Sequence, residues 1–370
     1  MALKRLTVVD GMDEAIGPLA VRTRRLQGGL QDGLLLVEIA AGGTTAQVLP
    51  DRGLGIWRMN SGGTDIGWSS PVRGPVHPRF VPITDPSGLG WLEGFDELVA
   101  RCGLVSNGAP EFDPQGRLLH PLHGRIANLP AHGVEVTLDE AAGRVTLHGA
   151  VDETRFLFQS LRMTTSISLQ ADRPRVSWVD TVENLSDRPT TMQMLYHVNI
   201  GPPFLGAGSE LVAAVEELAP RDHGAAADVP TWNRYDESRP GRPEQVHFMA
   251  LRSDEAGRAS AMLVAPGGGD AVCLSWRSDT LPCFSLWKNQ GGLADGYVTG
   301  LEPGTNYPNP RSFEAAQGRV VSLPPRAGVS FALELEHLTG PAVASVRERI
   351  MATAADSRSH DRPRPDWSAG

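Results

Sequence analysis

The sequence predicts an all-β protein, a large antiparallel β-sandwich with few short helices, and three observations carry that prediction. Apolar and polar residues alternate in one stretch after another, the period of a half-buried strand. Glycine (41) and proline (29) together make 70 of 370 residues, which suits many short strands joined by turns. Helical periodicity is confined to two short places, and no repeat of fixed period is present.

The elements follow in order. "LLLVEIAAGGTTAQVLPDRGLGIWRM" reads as two strands around Ala41-Gly42-Gly43. "SGLGWLEGFDELVARCG" predicts a short helix from Trp91 to Ala100. "HGVEVTLDEAAGRVTLHGAV" reads as a hairpin, with Val134, Val136 and Leu138 facing Val145 and Leu147 across the Ala142-Gly143 turn. "LRMTTSISL", "RVSWVDTVEN" and "TTMQMLYHVN" read as three consecutive strands of a long meander, continued by five more up to "VSFALELEHL". A loop rich in Pro, Arg and Asp, roughly 220–243, is an insertion between strands. Ser345 to Ala355 predicts a helix with Val346, Ile350 and Met351 as its apolar side. Residues 1–355 are expected to form one sandwich domain, and the polar segment 356–370 a disordered tail.

Composition narrows the function. The formal net charge is −9 and no dense Lys/Arg tract occurs, which argues against nucleic acid and anionic membrane as partners. Cys102, Cys273 and Cys283 form neither a disulfide framework nor a metal-ligand spacing. No apolar run of 18 residues and no signal-peptide core appear, so a cytoplasmic location is expected. No P-loop, dinucleotide fingerprint, G-x-S-x-G or H-E-x-x-H is present.

Three places hold residues suited to chemistry. In "QMLYHVNIGPPFL", Met192, Met194, Tyr196 and Val198 alternate with Gln193, Leu195, His197 and Asn199, so one face is apolar and the other mostly polar. "HPLHGRIANLPA" puts His120 and His123 in a loop. "GYVTGLEPGTNYPNPRSFE" ends an apparent strand at Glu302, beside a Pro/Gly/Asn-rich loop. Trp91, Trp287 and Lys288 are candidates to line a sugar site by stacking and hydrogen bonding. Each also has a bland reading: a strand histidine is more often a satisfied core residue, and a strand-end glutamate is more often solvated.

Taken together, the order His-Gly, strand His, late Leu-Glu resembles the galactose mutarotase family, the aldose 1-epimerases. Residues 30 to 340 carry the resemblance. It implies a galactose mutarotase-like sandwich acting on a small carbohydrate without a cofactor, with a homodimer left open. It implies His197 as the general acid on the ring oxygen and Glu302 as the base on the anomeric hydroxyl. His123 would position the sugar, Arg101 would bind its hydroxyls, and Gln193 and Asn199 would add hydroxyl partners. The chain departs from the family where Val198-Asn199-Ile200 follow the histidine instead of an aromatic pair, and where no asparagine precedes Arg101. It is therefore expected to be a divergent branch. Two other readings stay open: an isomerase, epimerase or lyase acting at another carbon, with a metal held by His77, His120 or His123, and a non-catalytic carbohydrate-binding module.

Overall fold

A computed structural model describes residues 3–369, and two large, mostly antiparallel sheets dominate it. The nine-stranded sheet is ordered Leu3–Thr7, His132–Asp139, Arg144–Arg155, Gln159–Gln170, Arg173–Asn184, Gly328–Thr339, Asp270–Arg277, Arg258–Val264, Glu210–Ala213. The fourteen-stranded sheet includes, as consecutive neighbours, the strands Gly55–Ser61, Val99–Leu104, Thr190–Ile200, Val298–Gly304, Cys283–Asn289, Gln245–Leu251 and Val215–Pro220. The main core lies between the two sheets. Val136, Leu147, Ile167 and Trp178 pack there from one side; Ile39, Val48, Met194, Tyr196 and Leu301 pack from the other.

The hairpin at 132–155 has the predicted register, with Val136 opposite Leu147 and Leu138 opposite Val145. The turn at 41–44 needs its glycine twice over. Gly42 has φ +57°, and a Cβ there would sit 2.4 Å from the Ala171 carbonyl oxygen on the opposite sheet.

Three elements differ from expectation. The three-strand run is not one meander: Gln159–Gln170 and Arg173–Asn184 pair within the nine-stranded sheet, whereas Thr190–Ile200 crosses to the centre of the other. The helix expected from Trp91 to Ala100 is a 3-10 turn, Gly90–Gly94, because Val99–Leu104 is recruited into pairing with Thr190–Ile200. The late helix is Pro341–Met351, opened by its proline. The earlier start makes Val343, Val346 and Ile350 the packed face and leaves Met351 exposed.

The tail is packed as well. Arg358–Ser359 adds a short parallel strand beside Val215–Pro220, and Trp367 packs tilted against Tyr307 with ring centroids 4.9 Å apart. Polar composition implied disorder, but three basic side chains here, Arg358, His360 and Arg364, converge on Glu217. The three cysteines are buried and unpaired. Among the described residues, no helix is long and apolar enough to cross a membrane.

Candidate active site

The strands Thr190–Ile200 and Val298–Gly304 are buried on both faces. Their inner face meets the core. Their outer face is roofed by loops that leave a cavity of about 600 Å³, within the usual range of small-molecule sites. His197, Glu302, His123, Trp91, Phe95, Trp287 and Val246 line it, with Arg221, Asp222 and Glu244 also on the wall.

Alternation places His197 on the outer face, opposite Met194, Tyr196 and Val198 in the core. Glu302 sits on the neighbouring strand, mid-strand rather than at the end expected. Since Val198 pairs with Leu301, His197 falls beside Glu302, and His197 Nε2 lies 3.1 Å from Glu302 Oε1. Gly300 makes room for this pair. A Cβ at Gly300 would stand 2.7 Å from Glu302 Oε1 and 3.0 Å from His197 Cε1.

Hydrogen bonds fix the histidine tautomer. The Asn199 amide nitrogen donates to the carbonyls of Glu97 and His197, so its oxygen is the acceptor. His197 Nδ1–H therefore donates to Asn199 Oδ1 at 2.6 Å, and Nε2 faces Glu302. A contact of 3.1 Å between Nε2 and a carboxyl oxygen requires a proton between them. Burial pushes the Glu302 carboxyl up to about 8, with the Glu244 charge adding to the rise and Arg221 opposing it. Burial also holds the His197 imidazole well below its ordinary 6.5, and His123 adds to this. The pair thus shares one proton at neutral pH.

His123 has φ +56°, a strained conformation for a non-glycine residue. Its Nδ1–H donates to the Asn107 carbonyl at 3.0 Å, which leaves the lone pair on Nε2. Burial lowers its pKa to about 4, so the ring is neutral. Its ring packs 4.6 Å from Trp91 and 5.4 Å from His197. The Trp91 indole N–H is buried with no partner in the protein.

Other expected site residues lie elsewhere. Arg101 points into the core between the sheets, where its guanidinium donates to both oxygens of Asp180 at 2.6 and 3.1 Å and to the Leu54 carbonyl at 2.6 Å. It has no route to the cavity. Lys288 follows Trp287, so the two face opposite ways; Trp287 lines the cavity and the Lys288 ammonium is buried against Asp228 at 2.5 Å. Gln193 shares the His197 face but lies four residues, roughly 13 Å, along the strand. It is buried with an unpartnered amide and off the cavity wall. Asn199 binds His197 and the Glu97 carbonyl instead of lining the cavity.

His77, His120 and His123 do not converge. His77 Nδ1 accepts from the Arg79 N–H at the start of a 3-10 turn, and His120 ends the short strand Leu118–His120. Among the described residues no group of three or more His, Cys, Asp or Glu side chains is arranged to hold a metal.

Sequence reasoning missed several cavity residues. Arg221 and Glu244 reach the site only through long-range packing, and so do Ser368 and Ala369 of the tail, whereas Asn309 lies in the loop that follows the Glu302 strand. Arg221 Nη2 lies 3.0 Å from Asp222 and 3.1 Å from Glu244, and the Trp287 indole N–H donates to Glu244 at 2.7 Å. The Arg221 charge is therefore neutralised locally.

Comparison with known proteins agrees with this architecture. A solved Klebsiella pneumoniae structure, provisionally described as an aldose 1-epimerase, shares 30% identity over 98% of this chain and 99% of its own, with TM-score 0.92. A galactose mutarotase-like protein from Clostridium acetobutylicum has TM-score 0.58 at 14% identity, covering 87% of this chain and 99% of its own. An Escherichia coli protein, also provisionally described as an aldose 1-epimerase, has TM-score 0.54 at 14% identity over 83% of this chain and all of its own. At those identities the last two show the fold alone. No functionally curated protein matches the sequence. The family model described as "Domain of unknown function (DUF4432)" matches residues 31–337. The chain therefore belongs to the DUF4432 family, a divergent branch on the galactose mutarotase-like fold.

Proposed function

We propose that the protein is an aldose 1-epimerase, interconverting the anomers of a sugar by general acid–base ring opening, with His197 and Glu302 as the proton-transfer pair. The observation that carries this reading is the 3.1 Å contact between His197 Nε2 and Glu302 Oε1 on the wall of a small-molecule-sized cavity.

The chemistry needs two proton transfers at one carbon. The anomeric hydroxyl loses a proton while the ring oxygen gains one; the C1–O5 bond breaks and C1 becomes a carbonyl. Both oxygens are bonded to that carbon, so they lie close together. A pair in mutual contact can address both. With the shared proton on His197 Nε2, the Glu302 carboxylate takes the anomeric proton as His197 protonates the ring oxygen. The pair ends as neutral imidazole and carboxylic acid, its total charge unchanged. Rotation about C1–C2 presents the other carbonyl face, and the reverse transfers close the ring. No metal or redox group takes part in these steps. The two states of the pair are the two tautomers of the one-proton form, and burial keeps it in that form around neutrality.

His123 Nε2, held as an acceptor by the Nδ1–H bond to Asn107, suits a sugar hydroxyl. The unpartnered Trp91 N–H suits another, and the Trp287 and Phe95 rings offer apolar faces to the sugar C–H groups. Proton exchange NMR of the anomeric signals, across a panel of free sugars and uronic acids, tests the proposal. Faster α/β exchange for at least one sugar, abolished in His197→Ala, is expected. Unchanged exchange in that folded variant would overturn it.

A further inference from the structure

We propose that the strap formed by residues 358–369 is a wall of the substrate site, and that it excludes sugars extended at the end remote from the reacting carbon. This rests on the epimerase reading above, and it concerns a segment beyond the family-matched residues 31–337.

The strap is built at every step. Glu217 pairs with Arg358 and Leu218 with Ser359 in the parallel strand, and the His360 N–H donates to the Leu218 carbonyl at 2.9 Å. His360 Nε2 and Arg364 Nη1 lie 2.7 and 2.6 Å from Glu217. The Arg364 guanidinium covers the Trp367 ring at 4.4 Å, and that ring packs on Tyr307. Tyr307 precedes the cavity loop Pro308-Asn309-Pro310, which continues the strand carrying Glu302.

The last turn of the strap then locks two parts of the cavity together. The Asn309 amide nitrogen donates to the Trp367 carbonyl at 2.8 Å, and the Ala369 N–H donates back to Asn309 Oδ1 at 3.1 Å. The Ser368 hydroxyl donates to the Arg221 carbonyl at 2.5 Å. Ser368 and Ala369 line the same cavity as His197 and Glu302. A polar-looking tail thus ties the Glu302 loop to the insertion and closes the space between them. The wall presents the Ser368 hydroxyl, the Asn309 amide and the Ala369 methyl, with the hydroxyl and amide protons already donated within the protein. Arg221, the one Arg or Lys on the cavity wall among the described residues, is already paired with Asp222 and Glu244. Such a wall suits the uncharged end of a compact sugar.

Two full-length variants test the wall. Trp367→Ala removes the ring that seats the strap. Ala369→Trp adds bulk at a solvent-exposed position on the cavity edge, where folding is not at stake. Anomer exchange and saturation-transfer binding are measured on glucose, galactose, maltose and lactose, with circular dichroism as the folding check. Ala369→Trp is expected to raise KM for the monosaccharides about tenfold with kcat within about twofold, a loss of uniform binding. Trp367→Ala is expected to raise the disaccharide-to-monosaccharide preference about fivefold. Unchanged KM in folded Ala369→Trp, or an unchanged preference in folded Trp367→Ala, would overturn the wall. Binding that shifts as expected without exchange of any sugar would sink the epimerase reading and keep the wall. Neither exchange nor binding in the unmodified protein would overturn both.

Discussion

Two buried polar clusters sit back to back across the strand Thr190–Ile200. On the inner face, Asp180 accepts from Arg101 twice, from the Tyr196 hydroxyl at 2.9 Å and from the Thr165 hydroxyl at 2.7 Å. On the outer face, His197 touches Glu302 and Asn199, and one side of the group is cavity. Tyr196 and His197 are adjacent residues that point into the two clusters. The inner cluster is saturated, with opposite charges facing each other in bidentate geometry. The outer cluster has two groups pushed toward their neutral forms and a wall open to a ligand. A buried charge with all its valences filled is structural; one that is poised and incompletely enclosed is where chemistry is expected.

The sharpest way to break this comparison is at Glu302. Glu302→Gln is expected to lower the anomer exchange rate about 10²–10⁴-fold while leaving thermal stability intact. A loss of folding instead of rate would make the outer cluster structural too. Gly300→Ala should come close to that loss without replacing a titrating group, since its methyl would intrude between His197 and Glu302. Full activity in that variant would mean the contact is not needed.

The inner cluster should answer in the opposite way. Arg101→Met leaves Asp180 buried without its cation and is expected to cost about 3–5 kcal/mol of stability. Chemical denaturation measures this, and kcat per folded molecule should hold. A selective loss of kcat would return Arg101 to the site.

Acidity offers a further contrast. The one-proton pair is lost as pH rises through the Glu302 value of about 8, so the rate should fall on the alkaline side. On the acid side it should persist below 6.5, until His197 takes a second proton. Stability carries the same sign. The folded protein retains the Glu302 proton up to about 8, whereas the unfolded chain releases it near 4.5. This contribution is full below pH 4.5 and declines as pH rises toward 8. Denaturation curves of Glu302→Gln should be flatter over that window. The smallest effect is expected at Asn199. Asn199→Leu frees the His197 tautomer and should cost about tenfold in rate, with a shift of the acid limb that a purely structural residue would not produce.

Much of this was legible in the sequence. Period-two alternation set the faces of Thr190–Ile200, with Met194 and Tyr196 inward and His197 outward. The hairpin register at 132–155 followed from the same rule and a glycine turn. The order of His123, His197 and Glu302 carried the resemblance. Alternation also held a warning that was easy to pass over: neighbours Trp287 and Lys288 cannot both face one cavity.

The rest was decided by tertiary structure. "VARCGL" is buried on both faces, so its pattern has no polar side to mark the direction of Arg101. Its partner Asp180 lies 79 residues away on the other sheet. The same holds for the tail, whose basic residues look solvated until Glu217 is brought beside them, and for Glu244 at the cavity. Strand periodicity is a local property, set by backbone geometry and readable from consecutive residues. Which charge meets which across a sandwich depends on contacts between segments far apart in the chain, and no local pattern encodes them.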